Sequence, residues 1–268
     1  MRELKNGDHF GVNKIHARLP GVLLTEVEYT AATPVPWHCH EHAHFSFFLK
    51  GTLQEVNRKA QFHCSPGTLI FNNSQEPHCN TGHTPYTRHF HAEVSDNWFE
   101  RYELKREHFQ GSFRVEEPQV FAAVQQLYCT FRAGAVSDAD ESCLVQAFGT
   151  LLQPAIRPAA RKPAWVSAAR DLLHDSFAEP LTLHALSAVV QVHPVHLSQQ
   201  FPAYFGLTFS QYLRKLRVMQ AARHLLSSDM ALTKVGYLCG FSDQSHFIRC
   251  FRLQFNMTPL QFRKLHRA

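Results

Sequence analysis

The pattern of apolar positions repeats itself in the C-terminal part of the chain. One block of apolar residues recurs 49 residues later and the next block recurs 50 residues later. The matching positions are Leu183, Leu186 and Val189 with Leu232, Val235 and Leu238, and Leu197, Phe201 and Phe205 with Phe247, Phe251 and Phe255. Apolar residues three or four positions apart indicate helices, and the change in spacing falls where a turn would lie. The sequence therefore predicts one supersecondary unit used twice.

Each copy has the pattern of a helix-turn-helix, which is a short helix, a tight turn and a longer helix. The first copy covers about residues 182–205 and the second about residues 231–255. The supporting and recognition helices are predicted at Leu183–Val190 and Val195–Tyr204 in the first copy, and at Thr233–Cys239 and Asp243–Leu253 in the second. This motif commonly places a helix in the DNA major groove.

The outward positions of the two recognition helices are candidates for base contacts. They are Val195, His196, Ser198 and Gln199 in the first copy, and Gln244, Ser245, His246 and Arg249 in the second. Gln can pair with adenine and Arg with guanine through two hydrogen bonds each, so the second copy is chemically richer. The alternative is that these are ordinary solvated residues, and the matched pair of motifs favours DNA. Phosphate contacts are predicted for Arg214, Lys215 and Arg217 on a linking helix.

The net charge is concentrated where the repeat lies. Residues 164–268 hold 11 Lys and Arg against 5 Asp and Glu, whereas residues 1–163 hold 16 against 17. A positive field confined to a helix-turn-helix region is expected of a surface that meets phosphates. Charge alone fits ordinary soluble helices equally well, so the repeat decides in favour of DNA.

The N-terminal half has a different pattern, of short apolar runs rich in β-branched and aromatic residues. Runs such as Phe45–Leu49 and Thr68–Phe71 are separated by turns that contain Gly, Pro or Asn. Many short strands with frequent turns predict a small barrel or jelly roll over residues 20–115. Two helices are expected after it, one that begins at Pro118 and one over Asp140–Leu152. These helices could form a dimer interface or pack on the barrel, and the pattern leaves both alternatives open.

A stretch with three Pro in ten residues separates the two patterns, and a linker is predicted there, over residues 154–163. The chain is therefore expected to divide into an N-terminal domain over residues 1–153 and a C-terminal domain over residues 164–268. The predicted fold class is α+β with two domains: a β-barrel with helices, followed by an all-α double helix-turn-helix.

Histidine is the candidate chemistry of the N-terminal half, because residues 1–163 hold 12 of the 19 His. His occupies four alternate positions within Trp37–His44, which would share one face of a single strand. Two His on one strand and a third on a neighbouring strand can assemble a facial metal site in a barrel. The effector-pocket candidates are His38, His40, His44 and His78, and the metal-ligand candidates among them are His38, His40 and His78.

Residues 164–268 resemble the AraC/XylS-type DNA-binding domain over their whole length. The most specific stretch runs over Ala231–Phe251 and continues through Phe255–Pro259. The resemblance implies a bacterial transcription regulator. It carries the family's base-contacting positions to Val195, Ser198, Gln199, Gln244, Ser245, His246 and Arg249.

The first copy departs from the family pattern in and after its turn. Gln191 stands where Gly is usual, His193 where a Ser cap is usual, and Phe209 where Pro is usual. The second copy keeps the usual Gly240, and it offers Ser242 or Asp243 as the cap of its recognition helix.

The histidine positions resemble the two cupin motifs, and AraC-type regulators often have a cupin-like barrel before the DNA-binding domain. The resemblance places His38, His40 and His78 at the metal-ligand positions. The carboxylate usual after the His-x-His pair is absent, and His44 is the substitute that the region offers. Three interpretations stay open: a pocket for a small organic effector, which we favour, a metal site, or a barrel mouth without a ligand.

The predicted function is a sequence-specific DNA-binding transcription regulator that a small-molecule effector controls. No catalytic residue and no cofactor are predicted, and the expected partners are double-stranded DNA, the effector, a second copy of the chain and RNA polymerase. The alternative is a cupin metal-dependent oxygenase or isomerase with a DNA-binding domain, which the missing carboxylate disfavours. A DNA-architectural protein is disfavoured because the recognition helices lack a basic stripe.

Cysteine usage and hydropathy predict a cytoplasmic protein. Seven Cys are scattered without a C-x-x-C pair, which favours reduced thiols. The first ten residues lack the apolar segment of a signal peptide, and no run of 18 apolar residues predicts a membrane span. No membrane partner is therefore expected.

Overall fold

The protein forms two compact units. The computed structural model describes residues 1–30, 34–105, 108–109, 111–156 and 163–267, without the side chains of residues 153–156 and 267. One unit, here called the barrel unit, consists of residues 1–116, 123–149 and 265–268. The other, here called the helical unit, consists of residues 117–122 and 150–264.

The strands of the described residues all belong to the barrel unit. They are Arg2–Leu4 (β1), Val12–Leu19 (β2), Val22–Tyr29 (β3), Val35–His40 (β4), Ala43–Lys50 (β5), Leu53–Asn57 (β6), Gln61–Cys64 (β7), Leu69–Asn72 (β8), His78–Thr81 (β9), Thr87–Val94 (β10) and Ser112–Arg114 (β11). One sheet has the order β1-β4-β9-β6-β7 and the other has the order β11-β8-β5-β10-β3-β2. The predicted sheet-rich N-terminal domain is confirmed.

The two strands before residue 20 were not predicted. β2 is an edge strand that pairs only with β3 in the sheet order, and nearly all of its residues are exposed. An edge strand with little burial needs no apolar run, so the sequence pattern gives it no signal.

The helices follow the predicted periodicity closely. They are Asp96–Arg101 (α1), Pro118–Arg132 (α2), Glu141–Ile156 (α3), Ala164–Asp175 (α4), Leu183–Val190 (α5), Pro194–Phe205 (α6), Phe209–Ser227 (α7), Leu232–Leu238 (α8), Gln244–Phe255 (α9) and Pro259–Arg267 (α10). Within the described ranges, none of these helices is long and apolar enough to cross a membrane.

The start of the linker predicted at residue 154 is wrong, because α3 continues to Ile156. A Pro removes one hydrogen bond of a helix, and α3 tolerates this loss at Pro154, in its last turn. Residues 157–162 of the predicted linker lie outside the described residues.

The six-stranded sheet is buried on both faces. Phe148 on α3 packs on one face, with its ring centroid 5.1 Å from that of Phe45 and 5.8 Å from that of Phe71. Tyr128 on α2 packs on the same sheet, 5.1 Å from Phe90. Because successive side chains of a strand alternate between faces, the neighbours of these Phe residues point to the opposite face. The helices therefore pack on the sheet, as one of the two alternatives stated, and the dimer interface stays a prediction.

The helical unit contains both copies of the predicted helix-turn-helix. Helices α5 and α6 form the first copy, α8 and α9 form the second, and α7 links them. The repeated apolar residues form the core of each copy: Leu197, Phe201 and Phe205 are buried in the first, and Phe247, Phe251 and Phe255 in the second. The predicted bounds hold to within two residues, which confirms that apolar spacing specifies these helices.

Candidate nucleic-acid interface and histidine cavity

The second recognition helix, α9, begins with a strong cap. Asp243 precedes the helix, and its carboxylate accepts a hydrogen bond of 2.7 Å from the backbone N–H of His246. This bond holds the pKa of Asp243 below its usual value. Of the two predicted caps Asp243 is the one used, because the Ser242 hydroxyl instead donates to the Asp243 carboxylate at 3.2 Å. The cap satisfies a backbone donor that helix formation leaves open.

The candidate base-contacting residues lie near the starts of α6 and α9. Val195, His196, Ser198, Gln199, Gln244, Ser245 and Arg249 are exposed, and His246 is half-buried. The His246 ring packs edge-on against Phe241 of the preceding turn, with ring centroids 5.4 Å apart. Exposed polar groups at the start of a recognition helix are well placed to meet base edges. Contact with bases by these residues stays a prediction.

Thr233 on the supporting helix α8 orients one of these residues. Its hydroxyl donates a hydrogen bond of 3.2 Å to the side-chain carbonyl of Gln244. That carbonyl oxygen has a second lone pair, and the amide N–H groups can still donate, so Gln244 keeps its capacity to pair with a base. The sequence pattern gives no signal for this role of Thr233, because the contact joins two helices across the turn.

The three phosphate-contact candidates have different surroundings. Arg214 is exposed. Burial raises the pKa of the Cys250 thiol on α9, and the positive charges of Arg214 and Arg249 oppose this rise. Lys215 is half-buried, and this burial lowers its pKa. Phosphate contact by Arg214 and Lys215 stays a prediction.

Arg217 on the linking helix has two hydrogen-bond partners within the protein. Its guanidinium donates hydrogen bonds of 2.7 Å each to the backbone carbonyls of Phe177 and Glu179. The half-buried side chain thus fixes the segment that joins α4 to α5. A guanidinium has five donors in a fixed plane, and two of these donors are oriented toward the protein, so phosphate contact by Arg217 would use the remaining donors and stays a prediction.

The candidate histidines of the barrel unit come from both sheets. His38 and His40 lie on β4 and His78 lies on β9, in the five-stranded sheet, whereas His44 lies on β5 in the other sheet. The prediction that the four His of Trp37–His44 share one strand is therefore wrong. The chain bends between β4 and β5, and this bend brings the His44 ring to 4.3 Å from that of His40.

Three of the imidazoles form a close group. The ring centroids of His38 and His78 are 4.3 Å apart, and those of His40 and His78 are 5.4 Å apart. One ring nitrogen of each of the three lies within 4.8 Å of the others. The structure thus brings together the three residues that the sequence singled out as metal-ligand candidates.

Backbone carbonyls fix the tautomers of two of these imidazoles. Nδ1 of His38 lies 2.8 Å from the carbonyl oxygen of Pro36, and Nδ1 of His78 lies 3.1 Å from that of Glu76. A carbonyl oxygen can only accept, so each Nδ1 donates and each Nε2 of the neutral ring keeps its lone pair. This is the arrangement in which metal-binding histidines are commonly held.

Burial favours the neutral form of His38, His40 and His44. It lowers the pKa of His38 to about 4, with a further contribution from His78. Burial also lowers the pKa of His40 and His44 well below the usual value. A neutral imidazole can bind a cation, whereas a protonated one cannot. Nδ1 of His40 is buried and has no hydrogen-bond partner among the described residues.

The sequence analysis missed several residues that line the same cavity. Beyond the four candidates, the lining consists of Leu4, His9, Phe10, Tyr29, Ser46, Phe48, Glu55, Asn80, His89 and His91. The volume of the cavity is about 20 Å³. The alternation of His89 and His91 gave a signal for those two residues, but no local pattern distinguishes His9 or Glu55.

Two protein-family models match the chain. A model described as an AraC-like ligand binding domain matches residues 19–148, and one described as a helix-turn-helix domain matches residues 186–265. The chain belongs to the AraC/XylS family. This AraC/XylS-family chain therefore has an AraC-like ligand-binding domain followed by a helix-turn-helix domain.

Individual relatives agree with this family. The HTH-type transcriptional activator RhaS of Salmonella newport (strain SL254) is 36% identical over 92 residues, which are 34% of this chain and 33% of RhaS. The same figures hold for RhaS of Salmonella agona (strain SL483). The match spans about a third of the length of these curated relatives.

Solved structures are also similar to the chain. An AraC-type transcriptional regulator from Chromobacterium violaceum is 29% identical, covers 41% of this chain and 96% of its own, and has a TM-score of 0.38. ToxT from Vibrio cholerae is 9% identical, covers 92% of this chain and 99% of its own, and has a TM-score of 0.38.

Proposed function

We propose that this regulator reads double-stranded DNA with the starts of α6 and α9, and that an effector in the histidine cavity controls its activity. The observation that supports DNA reading is the pair of matched helix-turn-helix copies, each with exposed side chains at the start of its recognition helix. Two such helices can enter successive major-groove segments. The proposal also includes a homodimer and contact with RNA polymerase, and only the sequence supports these two parts.

We further propose that the effector is one divalent transition-metal ion held by His38, His40 and His78. A cavity of about 20 Å³ has space for one water-sized group. Organic ligands usually occupy pockets of about 300–1,000 Å³, so the volume speaks against our preference for an organic effector in this cavity. Three imidazoles, two of them with Nδ1 beside a backbone carbonyl and Nε2 left available as a ligand atom, fit ions such as Zn²⁺, Ni²⁺ or Cu²⁺.

Such an ion would have a structural effect on the barrel unit. Bound there, it would join β4 to β9 and would stabilise the barrel unit by mass action. His44 would support it indirectly: its Nδ1 lies 3.4 Å from the carbonyl oxygen of His42, and its Nε2 lies 3.4 Å from the side-chain amide of Asn72. His44 is thus engaged at both nitrogens, which makes it an orienting residue rather than a fourth ligand.

A second candidate is an organic effector in a neighbouring pocket. A separate pocket of about 230 Å³ shares Phe10 and Tyr29 with the lining of the histidine cavity. The pocket is large enough for a small metabolite, and Glu28 is the carboxylate in its lining. An effector with a cationic group would fit this lining.

The test combines metal titration with DNA binding by the full-length protein. Zn²⁺, Ni²⁺ and Co²⁺ are titrated into metal-free protein in a calorimeter, and fluorescence anisotropy measures its affinity for the duplex upstream of its own gene, with and without the ion. We expect binding of one ion per chain and a change of at least fivefold in DNA affinity. His40→Ala should abolish ion binding, whereas the exposed His63→Ala should not.

The outcomes separate the parts of the proposal. A DNA affinity that is the same with and without the ion would leave DNA binding in place and remove the metal effector. Ion binding that His40→Ala leaves intact would remove the proposed site. Equal affinity for the upstream duplex and a scrambled duplex would contradict sequence-specific reading.

A further inference from the structure

Glu55 is a buried carboxylate beside the three imidazoles. Its exposed fraction is 3%, and its side chain lines the same cavity as His38, His40 and His78. The sheet register explains this position. On the paired strands β6 and β9, Asn57 lies opposite His78 and Glu55 lies opposite Asn80. Because side chains alternate along a strand, Glu55 points to the same side as His78, at a diagonal position.

Neutral amides hold the carboxylate of Glu55. Asn72 donates to Oε1 at 3.1 Å and Asn80 donates to Oε2 at 3.3 Å. Each carboxylate oxygen can accept two hydrogen bonds, so acceptor capacity remains. Two amides from two different sheets thus fix the group in place.

The carboxyl group of Glu55 has no cationic side chain as a partner among the described residues. Two other buried glutamates of the barrel unit have such a partner: Glu26 lies 3.2 Å from the Arg132 guanidinium, and Glu141 pairs with the Arg101 guanidinium. Burial of a charge without a counter-charge is costly. The carboxyl group of Glu55 and the imidazoles of His38, His40 and His78 therefore form a set of groups that suits a cation.

We propose that Glu55 is the carboxylate of the metal site, where it compensates the charge of the ion and positions it. This inference rests on the proposed function, in which the three imidazoles bind a divalent ion. The carboxylate that is absent after the His-x-His pair is then supplied by a different strand. Glu55 is not within the close group of ring nitrogens, so it acts beside the three imidazole ligands rather than in place of one.

The electrostatic consequence is a higher affinity of the site for a divalent ion. Three neutral imidazoles leave the full charge of the ion uncompensated, and one carboxylate reduces it by one unit in a buried site where charges interact strongly. A partner held outside the ligand set typically changes metal affinity by about 10–100-fold. Glu55 therefore contributes affinity without a change in the imidazole ligands.

The experiment compares full-length variants in three measurements: the dissociation constant for Zn²⁺ by competition with a chelating dye, the absorption spectrum of the Co²⁺ form, and the melting temperature without metal. We expect Glu55→Gln to weaken Zn²⁺ binding by about 10–100-fold. The Co²⁺ band positions should stay as in the parent, because the imidazole ligands are unchanged. The metal-free melting temperature should not fall, because the substitution removes an uncompensated buried charge.

Two further variants distinguish charge compensation from a structural role. Glu55→Asp keeps the charge and should retain more affinity than Glu55→Gln. Glu116→Gln removes a carboxylate whose Oε1 lies 2.6 Å from the Arg114 guanidinium, and it should leave Zn²⁺ binding unchanged. Equal affinity of Glu55→Gln and the parent, or equal losses in Glu55→Gln and Glu55→Asp, would overturn the inference.

The results also separate this inference from the proposed metal effector. If the parent binds Zn²⁺ and His40→Ala does not, the metal site is present. The Glu55 variants then decide only whether Glu55 compensates the charge of the ion. A metal-free melting temperature that falls sharply in Glu55→Gln would assign Glu55 to the fold and overturn its proposed role. A parent that binds none of the divalent ions would overturn both proposals.

Discussion

The two helix-turn-helix copies share one core but differ at their turns and helix starts. A pair of adjacent Phe rings lies in the core of each: Phe201 and Phe205 are stacked with centroids 4.0 Å apart, and Phe251 and Phe255 are tilted with centroids 4.7 Å apart. The supporting helix of the first copy ends at Gln191 in the left-handed conformation, with φ of 54°. The turn of the second copy contains Gly240, with φ of 77°. Apolar spacing thus reproduces the core, while local residues decide how each turn is built.

The helix starts differ in the same way. Asp243 caps α9 with its side chain, whereas His193 before α6 makes no side-chain cap and Pro194 occupies the first helical position. A Pro there lacks only an N–H that the helix would leave unpaired. The departures at Gln191 and His193 therefore leave the turn intact, because tertiary packing tolerates a residue that local preference disfavours.

The largest expected effect is on the turn of the second copy. Gly240→Ala should lower the free energy of unfolding by about 3 kcal/mol, through positive φ and through steric overlap. An added Cβ would lie 2.5 Å from the backbone oxygen of Ala178. Gly134→Ala is the control, because Gly134 also has positive φ but nothing lies within 4 Å of the added atom. Urea titration of both proteins measures the difference, and equal losses would contradict the overlap.

The next effect concerns the recognition surface of the second copy. Arg249→Ala should cost about 1–3 kcal/mol of binding free energy on the cognate duplex and relax preference at one or two base pairs. Gln199→Ala in the first copy should relax preference at other positions of the site. Titration against cognate and scrambled duplexes at two salt concentrations measures both. If Arg249→Ala weakens the two duplexes equally, Arg249 contacts phosphate instead.

The cap of the second recognition helix should matter more than its counterpart in the first copy. Asp243→Ala should lower the free energy of unfolding by about 1 kcal/mol, because the backbone N–H of His246 loses its acceptor. His193→Ala removes no side-chain cap and should change stability little. Thermal unfolding of the two variants checks this, and equal shifts would show that the cap is not what distinguishes the copies.

The smallest expected effect tests the unusual residue in the turn of the first copy. Gln191→Gly should raise the free energy of unfolding by about 0.5 kcal/mol, because Gly adopts positive φ without the steric cost of a side chain but loses more entropy on folding. Calorimetry of the full chain measures the shift in melting temperature. A loss of stability would mean that the Gln191 side chain contributes contacts that outweigh the strain.

The sequence by itself determined the helical unit almost completely. Helix formation depends on neighbours three or four positions away, and this periodicity is visible along the chain. The supporting helix Leu183–Val190 was predicted to the residue, and the exposure of Gln244 and Arg249 follows from the same periodicity. The sequence also identified His38, His40 and His78, because their spacing matches a known pattern.

Only the tertiary structure decided the composition of the histidine cavity. Strand pairing and sheet packing between residues far apart in the chain bring Glu55 and His9 to the cavity. The same packing brings the amide of Asn72 to the carboxyl group of Glu55. The bend that moves His44 to the second sheet has no signal in the alternation of histidines. Local pattern fixes which face of a strand a side chain occupies, but long-range pairing fixes which side chains meet.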